Sequence, residues 1–333
     1  MNGRRNKHEK ATLYWPAGRK NKAAFSFAPI TLGYIYKAVE YTLDAFDQYL
    51  NKNYPDCTTI TRDMIVGYIK TTQDKLPLTR AGHITHLRQF CRFMFQFDIE
   101  TYIPEKGLIP PAKVQVEPYI FTQNDINKVM EQANNLNAQN KLLPQTYATI
   151  IGLLWTTGMR IGEVIRLKIE DIDHVNGILY VRQTKFFKSR AIPLLPSTAQ
   201  KLKTYLIQRE KHGYKNISDD FVFINNQGHA CTISTTPRTI RTLIIRAGIK
   251  SPNNHTPRVH DIRHSFATNW LKDIYQSGKD PNRYLPILAT YMGHANIANT
   301  QVYLHPSVEL LGTAGEKLHS YVQSKQGEDN EGK

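Results

Sequence analysis

A chain of 333 residues is longer than one hydrophobic core usually serves, which predicts two domains, and its 41% apolar residues exclude wholesale disorder. Lys and Arg number 43 against 28 Asp and Glu, and a formal charge of +15 points to a polyanionic partner, nucleic acid before any other. Cys57, Cys91 and Cys231 are too few and too scattered for a disulfide framework or a zinc ribbon, and no stretch approaches the roughly 18 apolar residues of a membrane span, so a reducing, cytoplasmic setting away from membranes is expected.

The charge is unevenly spread. Residues 1–22 hold seven basic residues against Glu9, and this polar stretch is expected to be a flexible basic tail. Residues 23–105 hold 8 basic and 9 acidic residues and read as helices, while 106–333 carry a net +10. A first helical period runs from Ile35 to Leu50 and a second from Thr61 to about Thr71. A third begins near Thr79, with Ile84, Leu87, Phe90, Cys91, Met94 and Phe95 on its apolar stripe. Thr85, Arg88, Arg92 and Gln96 line up beside that stripe, either as a solvated face or as a DNA-facing strip.

Pro104, Pro110, Pro111 and Pro118 mark a linker, placed at 106–118. Thr122 then opens a second, mostly helical domain. Within it GILYVRQT and SRAIPL flank the four residues KFFK, a β-hairpin pattern. From 196 onward helical patterning returns, interrupted by FVFIN at 221–225. YQSGKDPNRY, 275–284, reads as an inserted loop whose Lys279 and Arg283 face water or DNA.

Three clusters carry chemistry. Arg160 follows a turn at Gly158, with Glu163 three residues on and able to pair with it. In VHDIRHSFATNWL a helix over 258–274 would bury Val259, Ile262, Phe266, Trp270 and Ile274, leaving His260 and Arg263 on another face, where an imidazole beside a guanidinium suits a phosphate. In YMGHANIANTQVYLHP, Gly293-His294 marks a turn nine residues before Tyr303, and a tyrosine phenolate among cationic groups can attack a phosphodiester. Each cluster alone also fits a purely structural reading.

Together, TTGMRIGEVIRL, TKFFKSRAIPL, HDIRHSFAT and MGHANIANTQVYLH stand in the order of the tyrosine recombinases, the phage integrases and Xer-type enzymes, and the chain resembles that family from about 119 to 322. The resemblance implies a mainly α fold with a small β-sheet (α+β), organised as a helical, SAM-like core-binding domain over 23–105, a catalytic domain over 119–322 and a polar tail over 323–333. It implies that Arg160 and Arg263 clamp the scissile phosphate and that Tyr303 attacks it, leaving a 3′-phosphotyrosyl link. Lys185 protonates the 5′-oxygen, with Lys188 the competing candidate. His260 and His294 assist at the phosphate, and Glu163 is a brace. Arg88, Arg92 and Lys188 become candidate DNA contacts. No cofactor and no metal are implied, and no Walker-type loop is present in the sequence.

The implied partner is double-stranded DNA, held as two sites by a homotetramer passing through a Holliday junction, and the implied location is the nucleoid in the cytoplasm. The implied role is integration or excision of a mobile element. A type IB topoisomerase-like nicking-closing enzyme and an inactive DNA-binding module are the alternatives.

Overall fold

In the computed structural model, which describes residues 37–109, 117–182, 189–293 and 300, the chain divides into two units, Met1–Val116 and Glu117–Lys333. The tails over 1–22 and 323–333 and most of the predicted linker lie outside the described residues.

The first unit is built from α1 (Lys37–Asn53), α2 (Arg62–Lys70) and α3 (Pro77–Met94). Apolar residues spaced three and four apart give each helix one buried face: Val39, Leu43, Phe46 and Leu50 on α1, Met64, Ile65 and Tyr68 on α2, Ile84, Leu87, Cys91 and Met94 on α3. Helix α1 packs on α2 and α3, and Phe46 and Tyr49 meet the Tyr68 ring edge-on. Two histidines of α3 are satisfied across the interface, with His83 Nδ1 3.1 Å from the Tyr68 hydroxyl and His86 Nδ1 2.9 Å from that of Thr42. Phe95 departs from the expected stripe. Although it stands four residues after Cys91, Phe95 is the C-cap beyond Met94, the last residue of the helix, and is 41% exposed.

The second unit opens with α4 (Gln123–Asn134), capped as its sequence predicts, the Thr122 hydroxyl accepting from the Asp125 amide and the Asp125 carboxylate from the Thr122 amide. Helix α5 (Leu143–Thr157) is apolar nearly all round because it is the centre of the unit, packing against α4, α7 (Pro196–Lys211) and α9 (Val259–Gln276). After α5 come the single turn α6 (Ile161–Val164), a 3-10 turn (Ile169–Asp171), and a three-stranded antiparallel sheet of β1 (Ile172–Asp173), β2 (Ile178–Val181) and β3 (Arg190–Pro193). Helices α8 (Thr236–Arg246) and α10 (Pro281–Met292) complete the unit. Among the described residues no helix is long and apolar enough to cross a membrane.

The hairpin register pairs Leu179 with Ile192, Tyr180 with Ala191 and Val181 with Arg190. Leu179 and Ile192 are buried in the main core, Tyr180 and Ala191 are exposed, and the two-residue period returns Val181 and Arg190 to the inner side. FVFIN forms no strand of this sheet. It buries Val222, Phe223 and Ile224 and joins by single bridges, Lys168 to Phe221 and Ile224 to Ala230.

The expected inserted loop over 275–284 is mostly helix. Tyr275 and Gln276 end α9, the chain turns at Gly278 in the left-handed region, and Asp280 caps α10 by accepting from the Asn282 amide, with Pro281 at the first helical position. Asp-Pro after Gly is a helix-stop and helix-start signal that a search for insertions overlooks.

Candidate active site

Two helix ends build this site. Helix α5 stops at Gly158 (φ 60, ψ 18) and α10 stops at Gly293 (φ 67, ψ 45), both left-handed caps that leave backbone carbonyls pointing out of the last turn. Substitution at either meets an obstacle besides strain. A Cβ on Gly158 would lie 2.3 Å from the Phe266 ring, and one on Gly293 would lie 2.8 Å from an Arg190 guanidinium nitrogen.

Arginines from three elements take up those carbonyls. Arg263, from the first turns of α9, donates to Gly158 O and to Met292 O, each at 2.7 Å, and so ties the two helix ends together. Arg160, at the start of α6, donates to Gly293 O at 3.1 Å. Arg190, from β3, donates through Nε to Tyr291 O at 2.8 Å. Guanidinium groups suit the negative end of a helix dipole, and three of them here share the last turn of α10, immediately before His294.

The counter-charge is Glu163. Its carboxylate accepts from the Arg160 amide and from Arg160 Nη1, both at 2.9 Å, and from Arg190 at 3.2 and 2.8 Å in a two-toothed pairing. Burial by itself would push this carboxyl up, but the Arg190 and Arg160 guanidinium groups overcome it and hold the pKa at about 2. Glu163 is therefore ionised throughout the neutral range and pairs with both Arg160 and Arg190.

On α9 the buried stripe is shifted from the expected one. Val259 and Ile262 are buried as predicted, but Ala267 and Leu271 continue the line, while Phe266 and Trp270 are half-buried against α10. The helix is covered on more than one side, which is how Arg263 comes to be 2% exposed. His260 lies one helical turn before His264, their rings edge-to-face with centroids 5.0 Å apart. The His260 ring keeps an exposed edge, yet packing around it lowers its pKa, and the Arg263 charge lowers it further against the opposing pull of Asp261. His264 is pulled further, to about 4, first by burial and then by His260. Both imidazoles are thus neutral at pH 7 and able to accept or pass a proton. Asp261 caps the helix from the Arg258 amide at 2.8 Å, and Ser265 Oγ accepts from the Phe121 amide at 2.8 Å, which fixes α9 to the strand of chain entering α4.

The structure thus brings together Arg160, Glu163, His260 and Arg263. Lys185, Lys188, His294 and Tyr303 lie outside the described residues. Arg88 and Arg92 belong to the first unit. Arg88 donates to Pro104 O at 2.6 Å and Glu105 O at 2.8 Å, whereas Arg92 is exposed. Arg190 has no counterpart among the sequence-based candidates. Its signal was present in the hairpin, since a charged residue two before Ile192 falls in the inward phase of the strand.

Residues 120–309, more than half of the chain, match the phage integrase family. A putative integrase/recombinase, y4rB of Sinorhizobium fredii, is 34% identical over 291 residues, covering 86% of this chain and 92% of its own length. The tyrosine recombinase XerD of Oceanobacillus iheyensis is 30% identical over 74% of this chain and 78% of its own. Among solved structures, the Tn1549 transposon integrase bound to a circular intermediate DNA aligns with a TM-score of 0.63 at 17% identity, covering 90% of this chain and 98% of that one. A lambda integrase tetramer on a Holliday junction aligns at 0.57 and 17% identity, covering 85% and 76%. The latter two are likenesses of fold, the mainly helical architecture with a small antiparallel sheet described above. The chain belongs to the phage integrase family and is a tyrosine recombinase, an enzyme that breaks and rejoins DNA.

Proposed function

We propose that the site cuts and reseals a DNA strand by way of a covalent tyrosine intermediate. The Tyr303 phenolate oxygen forms a bond to the scissile phosphorus while the bond from phosphorus to the 5′-oxygen breaks, and Lys185 gives that oxygen its proton. Arg160, a third of whose side chain is exposed, meets the non-bridging oxygens. Arg263 lies deeper and contributes its charge from beneath, reaching the phosphate once bound DNA parts what covers it. His260, neutral at pH 7, accepts the tyrosine proton or hands it on, and His294 donates to the phosphate. When a 5′-hydroxyl from another strand attacks, the steps reverse, so one phosphodiester replaces another without an outside energy source.

The observation carrying this reading is the convergence at the α10 terminus, where guanidinium groups from three elements donate to the carbonyls of the last turn and two of them also share the Glu163 carboxylate. Clustered guanidinium groups suit an anion, and a phosphodiester is the anion that a DNA breaking-and-rejoining enzyme handles. Site-specific recombination is the outcome we assign, with double-stranded DNA as substrate, four copies holding two sites, and movement of a mobile element in the nucleoid as the biological role. The integrases among the structural neighbours support the four-copy assembly and the mobile-element role, one of them a tetramer on a Holliday junction and another named for a transposon.

The test is covalent capture. Nicked duplexes with a randomised core are incubated with the protein, and protein-linked DNA is recovered and sequenced. Wild type is expected to yield a 3′-linked adduct enriched in one sequence, and Tyr303→Phe none. Equal adduct from the Phe variant would refute the nucleophile, and adduct with no enriched sequence, accompanied by efficient relaxation of any supercoiled plasmid, would refute site specificity.

A further inference from the structure

Glu163 poses an electrostatic problem for the site it braces. A carboxylate that orients Arg160 through two hydrogen bonds also cancels the charge that Arg160 is to offer the phosphate. Arg190 sits where that problem is solved. Its side chain is 10% exposed and faces inward from β3, and both of its terminal nitrogens are placed on the two Glu163 oxygens. With Arg190 present, the Arg160–Glu163–Arg190 group carries one net positive charge, and without it none.

We propose that Arg190 is a positioning residue of the phosphate site, which takes up the charge of Glu163 so that Glu163 orients Arg160 without neutralising it. Arg190 does not touch the reacting atoms. Its Nε is spent on Tyr291 O and its terminal nitrogens on Glu163. The position also selects arginine over lysine on geometric grounds, because one planar fork makes all three bonds, whereas the charge it supplies can come from either. The inference rests on the strand-transfer reading above.

A charge role and a scaffold role predict opposite outcomes for one double variant. Arg190→Gln leaves Glu163 with Arg160 as its one guanidinium partner among the described residues, and single-turnover formation of the captured adduct is expected to fall about thirtyfold. Adding Glu163→Gln removes the charge that Arg190 was opposing, and the double variant is expected to recover about tenfold over Arg190→Gln alone. If Arg190 were a brace, removing a second member of the network would lower the rate again.

Arg190→Lys keeps the charge but not the fork, and is expected to stay within about fivefold of wild type. A double variant no faster than Arg190→Gln overturns the proposal, as does an Arg190→Gln variant as fast as wild type. Should Arg190→Gln fail to fold, Arg190→Lys decides alone, because a normal unfolding transition combined with a loss beyond about thirtyfold would mean that shape and not charge is required. Adduct from wild type and none from Tyr303→Phe are established first. If that control fails, the strand-transfer reading is at fault, and if it holds, the Arg190 variants report on Arg190.

Discussion

Helix α3 of the first unit and helix α9 of the second both place arginines beside an apolar stripe, and both put a guanidinium on backbone carbonyls, yet they do different things. Arg88 on α3 donates to the carbonyls of Pro104 and Glu105, near the end of its own unit, and the Glu105 carboxylate lies 3.6 Å from Arg62. The arginines of α3 are dispersed along the helix, Arg88 held by backbone carbonyls and Arg92 exposed. Arg263 on α9 joins two helix ends, and stands beside Arg160 and Arg190, which share the carboxylate of Glu163. A bonded arginine is therefore no sign of function by itself. What marks a candidate site is convergence, with guanidinium groups from three separate elements gathered on one helix end, because packing like charges together is costly and is tolerated where an anionic ligand will answer them.

The largest effect expected of this difference is on catalysis. Arg160→Ala and Arg263→Ala should each lower adduct formation by about two to three orders of magnitude, the usual loss when a preorganised donor to developing charge is removed. Arg88→Ala should leave the rate of the captured reaction, measured with enzyme saturating, within about threefold of wild type. Near-normal cleavage by either second-unit variant would remove that arginine from the site and erase the contrast with α3.

Next comes the backbone that aims these groups. Gly158 combines a left-handed φ with a Phe266 ring where a Cβ would go, so Gly158→Ala should cost about 2–4 kcal/mol in urea unfolding, from strain and overpacking together. Gly82 on α3 has open space around its Cβ position and helical backbone, and Gly82→Ala should stabilise by about 0.5–1 kcal/mol. A mild effect at Gly158 would mean that the end of α5 is not held where the arginines need it.

Acid should act on both units through histidines whose pKa packing lowers, His83 and His86 in the first and His260 and His264 in the second, and on the second also through Glu163. The Glu163 carboxyl sits at about 2 in the folded protein and near 4.3 when unfolded, so its contribution is complete above the unfolded value and is lost as pH falls from there through 2. That amounts to about 2–3 kcal/mol over the window, and Glu163→Gln should flatten it. His264 acts in a higher window. Its folded pKa of about 4 lies below the ordinary histidine value, so stability falls as pH drops from about 6.5 toward 4, and His264→Asn should reduce that slope, His260 supplying a part that remains. A melting profile unchanged by both substitutions would show that the second unit does not carry the buried charge described.

Much of this was legible in the sequence, and the reasons differ by level. The helices over 37–53, 62–70 and 77–94 follow from periodic apolar residues, and the hairpin from two short runs around KFFK, because local patterning decides local structure. Arg160, Glu163, His260 and Arg263 are candidates by motif, and the structure brings them together. Arg190 was missed because its importance comes from partners 27 and 101 residues away, a convergence that no local pattern contains. The Phe95 and 275–284 expectations failed at helix ends, where one capping residue outweighs the surrounding period. Burial of α9 on several sides was equally invisible, since which faces are covered depends on α10, a helix hidden by the Gly-Lys-Asp-Pro turn.

The smallest effects test whether α3 meets DNA at all. Arg88→Ala should cost about 1–2 kcal/mol of stability, the worth of hydrogen bonds from a charged donor that is partly open to water, with little change in DNA affinity. Arg92 is exposed one turn further on and makes the opposite prediction. Arg92→Ala should leave unfolding unchanged within about 0.5 kcal/mol, while the log–log slope of DNA binding against salt becomes shallower by about 0.9, the release of one phosphate's counterions. Measured together on one captured duplex, the pair separates an arginine that holds its domain from one that holds the duplex. An unchanged salt slope for Arg92→Ala would reduce the α3 strip to a face that meets water, leaving the net positive charge of the second unit to carry the binding.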